Sequence, residues 1–474
     1  MATIKQDVGR IILAATNSGS GKTTVTCGIL KALKDNAENI KAFKCGPDYI
    51  DPMFHSEVLG ISSRNLDLFF TDENLTKYLL ANSTKDGSFA VMEGVMGYYD
   101  GLGGVTTTAS TYDLARVTNT PVILVVDCKG KSTSIVAEIK GFMEYKKDSN
   151  IKAVILNRIS GMMYPMIKNL IEKELPVKVA GYLPILNNCS IESRHLGLIT
   201  ASEIGNLKEI IENIGSAAKE TIDLSMLVEI GKEAEAIQYD DSQISKIQRL
   251  GNVRIAVAMD KAFCFYYKDN LELLEKLGGE LVYFSPVDGE PLPQNIGGVI
   301  LGGGYPELYL RELEANKHLR EEINMRVKDG MPILAECGGF MYLHKWIKDD
   351  DGKSFDMVGV IDGGSFPTGK LGRFGYIDVT IQRDTVAGQK GMKLKAHEFH
   401  YWDSQKTGDA CMAAKPVGSR KWECICSDNE MFVGYPHFHY YSNLEFPRNF
   451  ISKCIEYSNT KNNPVNPCKR VVDI

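Results

Sequence analysis

Two short stretches concentrate reactive residue types. The first is Thr16-Asn-Ser-Gly-Ser-Gly-Lys-Thr-Thr, which follows an apolar run at residues 11–15 and leads into a helical pattern. Small residues let backbone N–H groups wrap around phosphates, and the following helix N-terminus adds a favourable dipole. Gly19, Ser20, Gly21, Lys22, Thr23 and Thr24 form this cradle. Lys22 reaches the terminal phosphates of ATP, and the Thr23 hydroxyl binds Mg²⁺. The strict pattern has glycine where Thr16 stands, so the loop is a variant. A plain Gly/Ser turn is the alternative, and the strand-before, helix-after context argues against it. Partition-type ATPase switches carry lysine at position 17; this chain has Asn17.

The second stretch is Leu334-Ala-Glu-Cys-Gly-Gly-Phe. Cys337 follows an apolar strand and precedes two glycines, the pattern of a nucleophile elbow. The sharp turn exposes the thiol, and the helix N-terminus is expected to lower its pKa. The alternative is a buried structural thiol, the role of most of the other cysteines. Upstream, Leu301-Gly-Gly-Gly-Tyr-Pro-Glu offers Gly303 and Gly304 as an oxyanion loop. A base is also needed. Tyr435-Pro-His-Phe-His puts His437 and His439 two apart, hence on one side of an extended strand. Either is a candidate partner for Cys337. His397 and His400 lack cysteine or acid partners at metal spacing and read as substrate-side or structural, with no zinc site evident.

Carboxylates gather near the phosphate loop. Cys45-Gly-Pro-Asp-Tyr-Ile-Asp-Pro holds Asp48, Tyr49 and Asp51 in a Gly/Pro turn. Glu93-Gly-Val-Met-Gly-Tyr-Tyr-Asp-Gly starts at the carboxyl end of an apolar strand, the edge where open α/β sheets bind ligands. Asp48 and Glu93 are candidate Mg²⁺ ligands, beside phosphate oxygens. Asp51 and Asp100 are candidates to orient a substrate carboxylate or its metal. An acid in such a turn is also often only a turn residue. Asn157 ends another strand and is a candidate reader of the adenine. Arg194 and His195 lie in a loop and are candidates to meet an anionic substrate.

The elements that must position these groups alternate. Continuous apolar runs such as Pro121-Val-Ile-Leu-Val-Val and Ala153-Val-Ile-Leu are separated by helical stretches, the pattern of a doubly wound α/β domain with a parallel sheet. A second βα series starts at Val253-Arg-Ile-Ala-Val-Ala and includes a late strand over residues 431–437. The boundaries expected are residues 1–228 for the first domain, 229–252 for a charged, strand-poor linker, 253–457 for the second domain and 458–474 for a poorly ordered tail. At 474 residues the chain exceeds one ordinary core. Net charge is −6 with 24% charged residues, which advertises no nucleic-acid surface. Eleven irregularly spaced cysteines fit a reduced, cytoplasmic protein. No run approaches the ~20 apolar residues of a membrane span.

Taken together, Ser18-Gly-Ser-Gly-Lys-Thr-Thr-Val-Thr, Lys44-Cys-Gly-Pro-Asp-Tyr-Ile-Asp-Pro, Glu93-Gly-Val-Met-Gly-Tyr-Tyr-Asp-Gly, Arg194-His-Leu-Gly-Leu, Ala258-Met-Asp-Lys-Ala-Phe-Cys-Phe-Tyr-Tyr, Gly303-Gly-Tyr-Pro-Glu and Ala335-Glu-Cys-Gly-Gly carry a resemblance. The first domain resembles the dethiobiotin-synthetase-like P-loop ligases. The second resembles the class I glutamine amidotransferases of the cobyrinate/cobyrate branch, with a flavodoxin-like fold. The pair, in this order, resembles the cobyrinic acid a,c-diamide synthase family over about residues 10–455.

The resemblance implies that ATP phosphorylates the a- and c-carboxylates of a corrin and that ammonia from glutamine attacks each acyl phosphate, in cobalamin biosynthesis. It implies Lys22 and Thr23 on ATP and Mg²⁺, and Asp48, Asp51, Glu93 and Asp100 on the acidic active-site positions. It also implies a glutamyl thioester on Cys337, and it points to a homodimer. Typical class I glutaminases read Gln-Phe-His-Pro-Glu. Aligning His437 with that histidine puts His439 in the glutamate place, so the orienting carboxylate is expected to be missing. The rival readings are the same chemistry on nickel-sirohydrochlorin or another tetrapyrrole, and a P-loop switch or scaffold with an inactive second domain.

Overall fold

The computed structural model describes residues 3–186, 201–428 and 430–462. Arg194 and His195 therefore lie outside the described residues. The chain divides into two compact units, residues 1–244 and 245–474.

The first unit is built on a seven-stranded parallel sheet. Its strands are β2 (Arg10–Ala15), β3 (Ile40–Cys45), β4 (Ser63–Leu66), β5 (Phe89–Glu93), β6 (Val122–Asp127), β7 (Ile151–Asn157) and β8 (Lys178–Leu183), in spatial order β4-β3-β5-β2-β6-β7-β8. The central strands are buried along their whole length, as the unbroken apolar runs require when helices cover both faces. β1 (Ile4–Gln6) lies outside this sheet and pairs antiparallel with β9 (Ile237–Tyr239), with Ile4 opposite Tyr239.

The helix Lys22–Asp35 follows the phosphate loop and packs on the helix Ala201–Thr221. The contact is close at Gly28, where a Cβ would stand 2.9 Å from Ile214 Cγ2 and 3.1 Å from Ala218 Cβ. Ile211, Ile214 and Ala218 are buried there, at the spacing that lines one helical face.

The second unit has a six-stranded sheet. β10 (Val253–Ala258), β11 (Gly279–Phe284), β12 (Gly298–Leu301) and β13 (Ile333–Glu336) run parallel in the order β11-β10-β12-β13, continued by parallel Met431–Gly434 and antiparallel Cys426–Ser427. A five-stranded antiparallel sheet orders Lys421–Cys424, Cys411–Ala414, Phe374–Ile381, Lys393–Phe399 and His437–Phe438. A four-stranded sheet orders Ser354–Asp356, His344–Lys348, Ile361–Pro367 and Trp402–Ser404. Among the described residues no helix is long and apolar enough to cross a membrane.

Three expectations change. Residues 229–252 are not all linker: the helix Leu224–Lys232 and β9 belong to the first unit, which extends to residue 244. The late strand over 431–437 is two strands in different sheets, Met431–Gly434 and His437–Phe438, with the chain turning at Tyr435-Pro436. The helix Glu445–Asn462 runs through the start of the supposed tail, anchored by buried Phe446, Phe450, Ile451, Cys454 and Tyr457.

Buried Arg10 ties the first unit's segments together. Its guanidinium donates to the carbonyls of Val8, Thr118 and Glu235, each at 2.7 Å, and to Thr120 Oγ1 at 3.2 Å. Burial lowers its pKa to about 10, against the opposing charge of Glu235.

Candidate active sites in the two units

In the first unit, β2 ends at Ala15 and the phosphate loop bridges to the helix at Lys22. Gly19 and Gly21 have φ values of 81° and 79°, a left-handed turn that glycine takes without Cβ strain. Asn17 folds back on the loop: its Oδ1 accepts from Ser20 Oγ at 2.8 Å and its Nδ2 donates to the Ser18 carbonyl at 2.6 Å.

Asn157, the candidate reader of adenine, packs against the phosphate loop. It is buried, and its Nδ2 donates to the Ser20 carbonyl at 2.8 Å. A Cβ on Gly21 would stand 2.2 Å from that nitrogen. Arg158 braces the loop from the same side, donating to the Gly19 carbonyl at 2.9 Å while pairing with Asp127.

The carboxylates converge from three elements. Register places Glu93, at the end of β5, beside Leu13 of β2 and Lys44 of β3. Thr23 Oγ1 donates to Glu93 Oε1 at 2.6 Å, and Lys44 Nζ donates to the same oxygen at 2.9 Å. Lys44 also pairs with Asp51 and stands 3.8 Å from Asp48 Oδ2. On the far side, His55 Nε2 is 3.5 Å from Glu93 Oε2, with both side chains fully buried.

Electrostatics split these groups. Burial and the Glu93 charge push Asp51 up to about 8, with Lys44 opposing. For Glu93, burial pushes upward, but Lys44, His55 and Thr23 win and hold it well below the usual carboxylate range. Lys22 is lowered to about 8, by burial first and then by Lys44. Its Nζ donates to the Met96 carbonyl at 2.9 Å.

Asp48, Asp51, Glu93 and Thr23 are thus brought together. Asp100 is engaged in its own turn, its Oδ2 accepting from the Gly97 N–H at 2.9 Å. Tyr49 is buried at the start of the helix Ile50–Glu57. Sequence reasoning singled out neither Lys44 nor His55. The available signal was a lysine inside the otherwise buried strand Ile-Lys-Ala-Phe-Lys-Cys.

In the second unit, Cys337 occupies the elbow between β13 and the short helix Gly338–Tyr342. Its φ is 47°, a strained value for a residue with a side chain, and its N–H is held by the Gly434 carbonyl at 2.8 Å. The two glycines behind it are required by contact. A Cβ on Gly339 would stand 2.2 Å from the Leu301 carbonyl oxygen, and one on Gly338 would stand 3.1 Å from the Gly304 nitrogen. This puts the Gly304 backbone beside the nucleophile's turn.

The thiol is not activated as expected. Burial and the nearby charges of Glu307, Glu398 and Glu336 push it well above the usual thiol value, against a hydrogen bond from the Gly338 backbone. The acids themselves are perturbed by burial, Glu307 up to about 8 and Glu398 to about 7.

His437 and His439 part company because the strand His437–Phe438 ends between them. His437 stays at the elbow: a Cβ on Gly303 would stand 2.3 Å from its Cε1. The ring of His439 packs near Tyr267 and Tyr441, and burial lowers it to about 3. His397 sits opposite His437 on the neighbouring strand, and His400 stacks on Tyr435 at 3.9 Å between centroids.

An acid that sequence reasoning did not single out stands near His437. Glu336, one residue before the nucleophile, places its Oε2 3.7 Å from His437 Nδ1. A charged residue closing an apolar strand was the signal.

Comparison with known proteins bears on both units. A nucleotide-binding domain model described as CobQ/CobB/MinD/ParA matches residues 11–198, and a CobB/CobQ-like glutamine amidotransferase domain model matches residues 254–444. The chain is 38% identical over 448 residues to the cobyrinate a,c-diamide synthase of Priestia megaterium, covering 94% of this chain and 97% of that protein. It is 39% identical over 454 residues to the enzyme of the same name from Thermoplasma volcanium, covering 95% and 98%. This chain belongs to the cobyrinate a,c-diamide synthase family. Membership makes it a glutamine-dependent ligase, with a nucleotide-binding domain that supports ATP use. Members of the family matched here align almost end to end, so both halves of the chain are family property.

Proposed function

We propose that the chain amidates the a- and c-carboxylates of cobyrinate, consuming one ATP and one glutamine for each amide. The observation that carries this is the 38–39% identity, over 94–95% of the chain, to relatives bearing the cobyrinate a,c-diamide synthase name. We assign residues 1–244 to carboxylate activation and residues from 253 to the glutaminase, with a junction shorter than sequence alone suggested.

A carboxylate is a poor electrophile, so its oxygen first attacks the terminal phosphorus of ATP, and ADP leaves from an acyl phosphate. Little covalent help is needed; positioning and charge neutralisation suffice. The loop N–H groups and Lys22 hold the phosphates. Lys44 is poised to neutralise the transferring phosphoryl group once that group competes with Asp51 and Glu93 for its ammonium. His55 fixes Glu93 from behind. Thr23 and the carboxylates of Glu93 and Asp48, the two acids now beside Lys44 Nζ, would supply oxygen ligands to Mg²⁺ together with those of ATP. When bound there, Mg²⁺ neutralises phosphate charge.

In the second unit, Cys337 passes its proton to His437 and attacks the glutamine carboxamide carbon. The Gly303–Gly304 loop faces the developing oxyanion. Ammonia leaves with the transferred proton, and water then releases glutamate from the thioester. Delivered ammonia attacks the acyl phosphate, and phosphate leaves.

The test is direct. Protein, cobyrinic acid, ATP, Mg²⁺ and glutamine are incubated and product mass is followed. Two successive amidations, each consuming one ATP, are the expected result. No mass change with either glutamine or ammonia would reject cobyrinate as substrate, and sirohydrochlorin and its nickel form would then be tried.

A further inference from the structure

His437 and Glu336 come from strands about a hundred residues apart and meet beside the nucleophile. Glu336 ends β13; its Oε1 accepts the Phe438 N–H at 3.2 Å, and its Oε2 stands 3.7 Å from His437 Nδ1. One carboxylate thus holds both the ring and the backbone that carries it. The pair is sheltered, with 3% of the His437 side chain and 16% of the Glu336 side chain exposed. Gly303 lies against the Cε1–Nδ1 edge of the same ring, where a Cβ would stand 2.3 Å from Cε1.

This arrangement has a chemical consequence. An acid facing Nδ1 keeps the proton on that nitrogen, leaving the Nε2 lone pair as the base. When Nε2 takes the thiol proton, the ring becomes cationic, and a nearby carboxylate stabilises it. A separation of 3.7 Å is longer than a hydrogen bond, and catalytic hydrogen bonds commonly tighten only once substrate is bound. The charges of Glu307 and Glu398 also act on the thiol. Glu336 is the acid that is in ion-pair range of the histidine and fixed to its strand.

We propose that Glu336 is the positioning carboxylate of the glutaminase centre, fixing Nδ1 of His437 so that Nε2 takes the Cys337 proton. The role comes from the residue before the nucleophile; the position two after the histidine holds His439. It rests on the reading that Cys337 attacks glutamine.

The test uses the full-length protein and Glu336→Gln. The amide has one acceptor oxygen, so it cannot serve both Phe438 N–H and His437 Nδ1–H. Three quantities are measured in the variant and the wild type: amidation driven by glutamine, amidation driven by ammonium, and alkylation of Cys337 by iodoacetamide, followed by peptide mass spectrometry. In the variant, kcat with glutamine should fall by about 10²- to 10⁴-fold. KM for glutamine and ammonium-driven amidation should hold, and Cys337 alkylation should slow. Wild-type glutamine turnover and alkylation in the variant would overturn the assignment. So would a parallel loss of ammonium-driven activity, which would make Glu336 a structural residue. A wild type that uses ammonium but ignores glutamine would remove the donor reading, and the alkylation rate would still decide Glu336.

Discussion

At the residue scale, the two centres should separate cleanly. Cys337→Ala removes the nucleophile, so glutamine-driven amidation should fall to background while ammonium-driven amidation persists; both rates come from one mass assay. Gly303→Ala is a subtler probe. Its Cβ would stand 2.3 Å from His437 Cε1 and 3.0 Å from Nδ1, so the ring must move. A displacement near 1 Å at a catalytic group costs about 10²-fold. Glutamine-driven kcat should drop by that order with the ammonium rate preserved, and equal losses in both would place the damage outside the glutaminase.

Residues were legible where chemistry is local in the chain. The phosphate loop and the elbow each fit within nine residues, and their spacing alone implies a turn between strand and helix. Lys44, His55 and Glu336 escaped because their partners lie on other strands. Lys44 meets Glu93 through β3–β5 register, and Glu336 meets His437 through the turn after Met431–Gly434. Nothing in a linear pattern encodes such meetings. The raised thiol was also invisible, because it comes from burial in the fold and from acids on three separate segments.

At the element scale, the helix Lys22–Asp35 carries Lys22 and Thr23 and is seated by its contact with Ala201–Thr221. Gly28→Leu would push side-chain atoms into Ile214 and Ala218. Overpacking of this kind costs about 1–3 kcal/mol. Thermal unfolding followed by circular dichroism should show the loss, and an unchanged midpoint would mean that the two helices separate without penalty. Elements were legible where apolar runs were long, as in β6 and β7. They were missed where a strand is three residues long and finds its partner at the opposite end of a unit, as β9 does. The expected tail begins inside the helix Glu445–Asn462 because its last turns, Ser-Asn-Thr-Lys-Asn, are polar, while the preceding apolar residues do the anchoring.

At the scale of the whole molecule, buried titrating groups set a pH optimum for the second unit. Burial lowers His344 and His400 to about 4, and His397 and His439 to about 3. Between those values and the ordinary 6.5, the unfolded chain binds protons that the folded chain refuses. Stability therefore falls as pH drops below 6.5. Glu398 and Glu307 act oppositely: raised from 4.5 to about 7 and about 8, they keep a proton when folded that the unfolded chain has lost, so their contribution falls as pH climbs from about 4.5 to those values and is flat above them. Four histidines outweigh two carboxyls on the acid side. The urea midpoint of this unit should peak between about pH 6.5 and 7. Its unfolding is readable by fluorescence, because Trp346, Trp402 and Trp422 all lie within it. A midpoint still rising from pH 7 to 8 would contradict the carboxyl assignments.

The β1–β9 pair sets an order of events during synthesis. Ile4 is made 235 positions before its partner Tyr239. At roughly 5–20 residues per second, a ribosome takes about 10–50 s to bring them within reach. The carbonyl of Glu235 reaches Arg10 on the same schedule. Until then the seven-stranded sheet can form, but β1, outside it, has no ladder partner and a buried guanidinium lacks one acceptor. The nascent first unit closes only as the second begins to emerge.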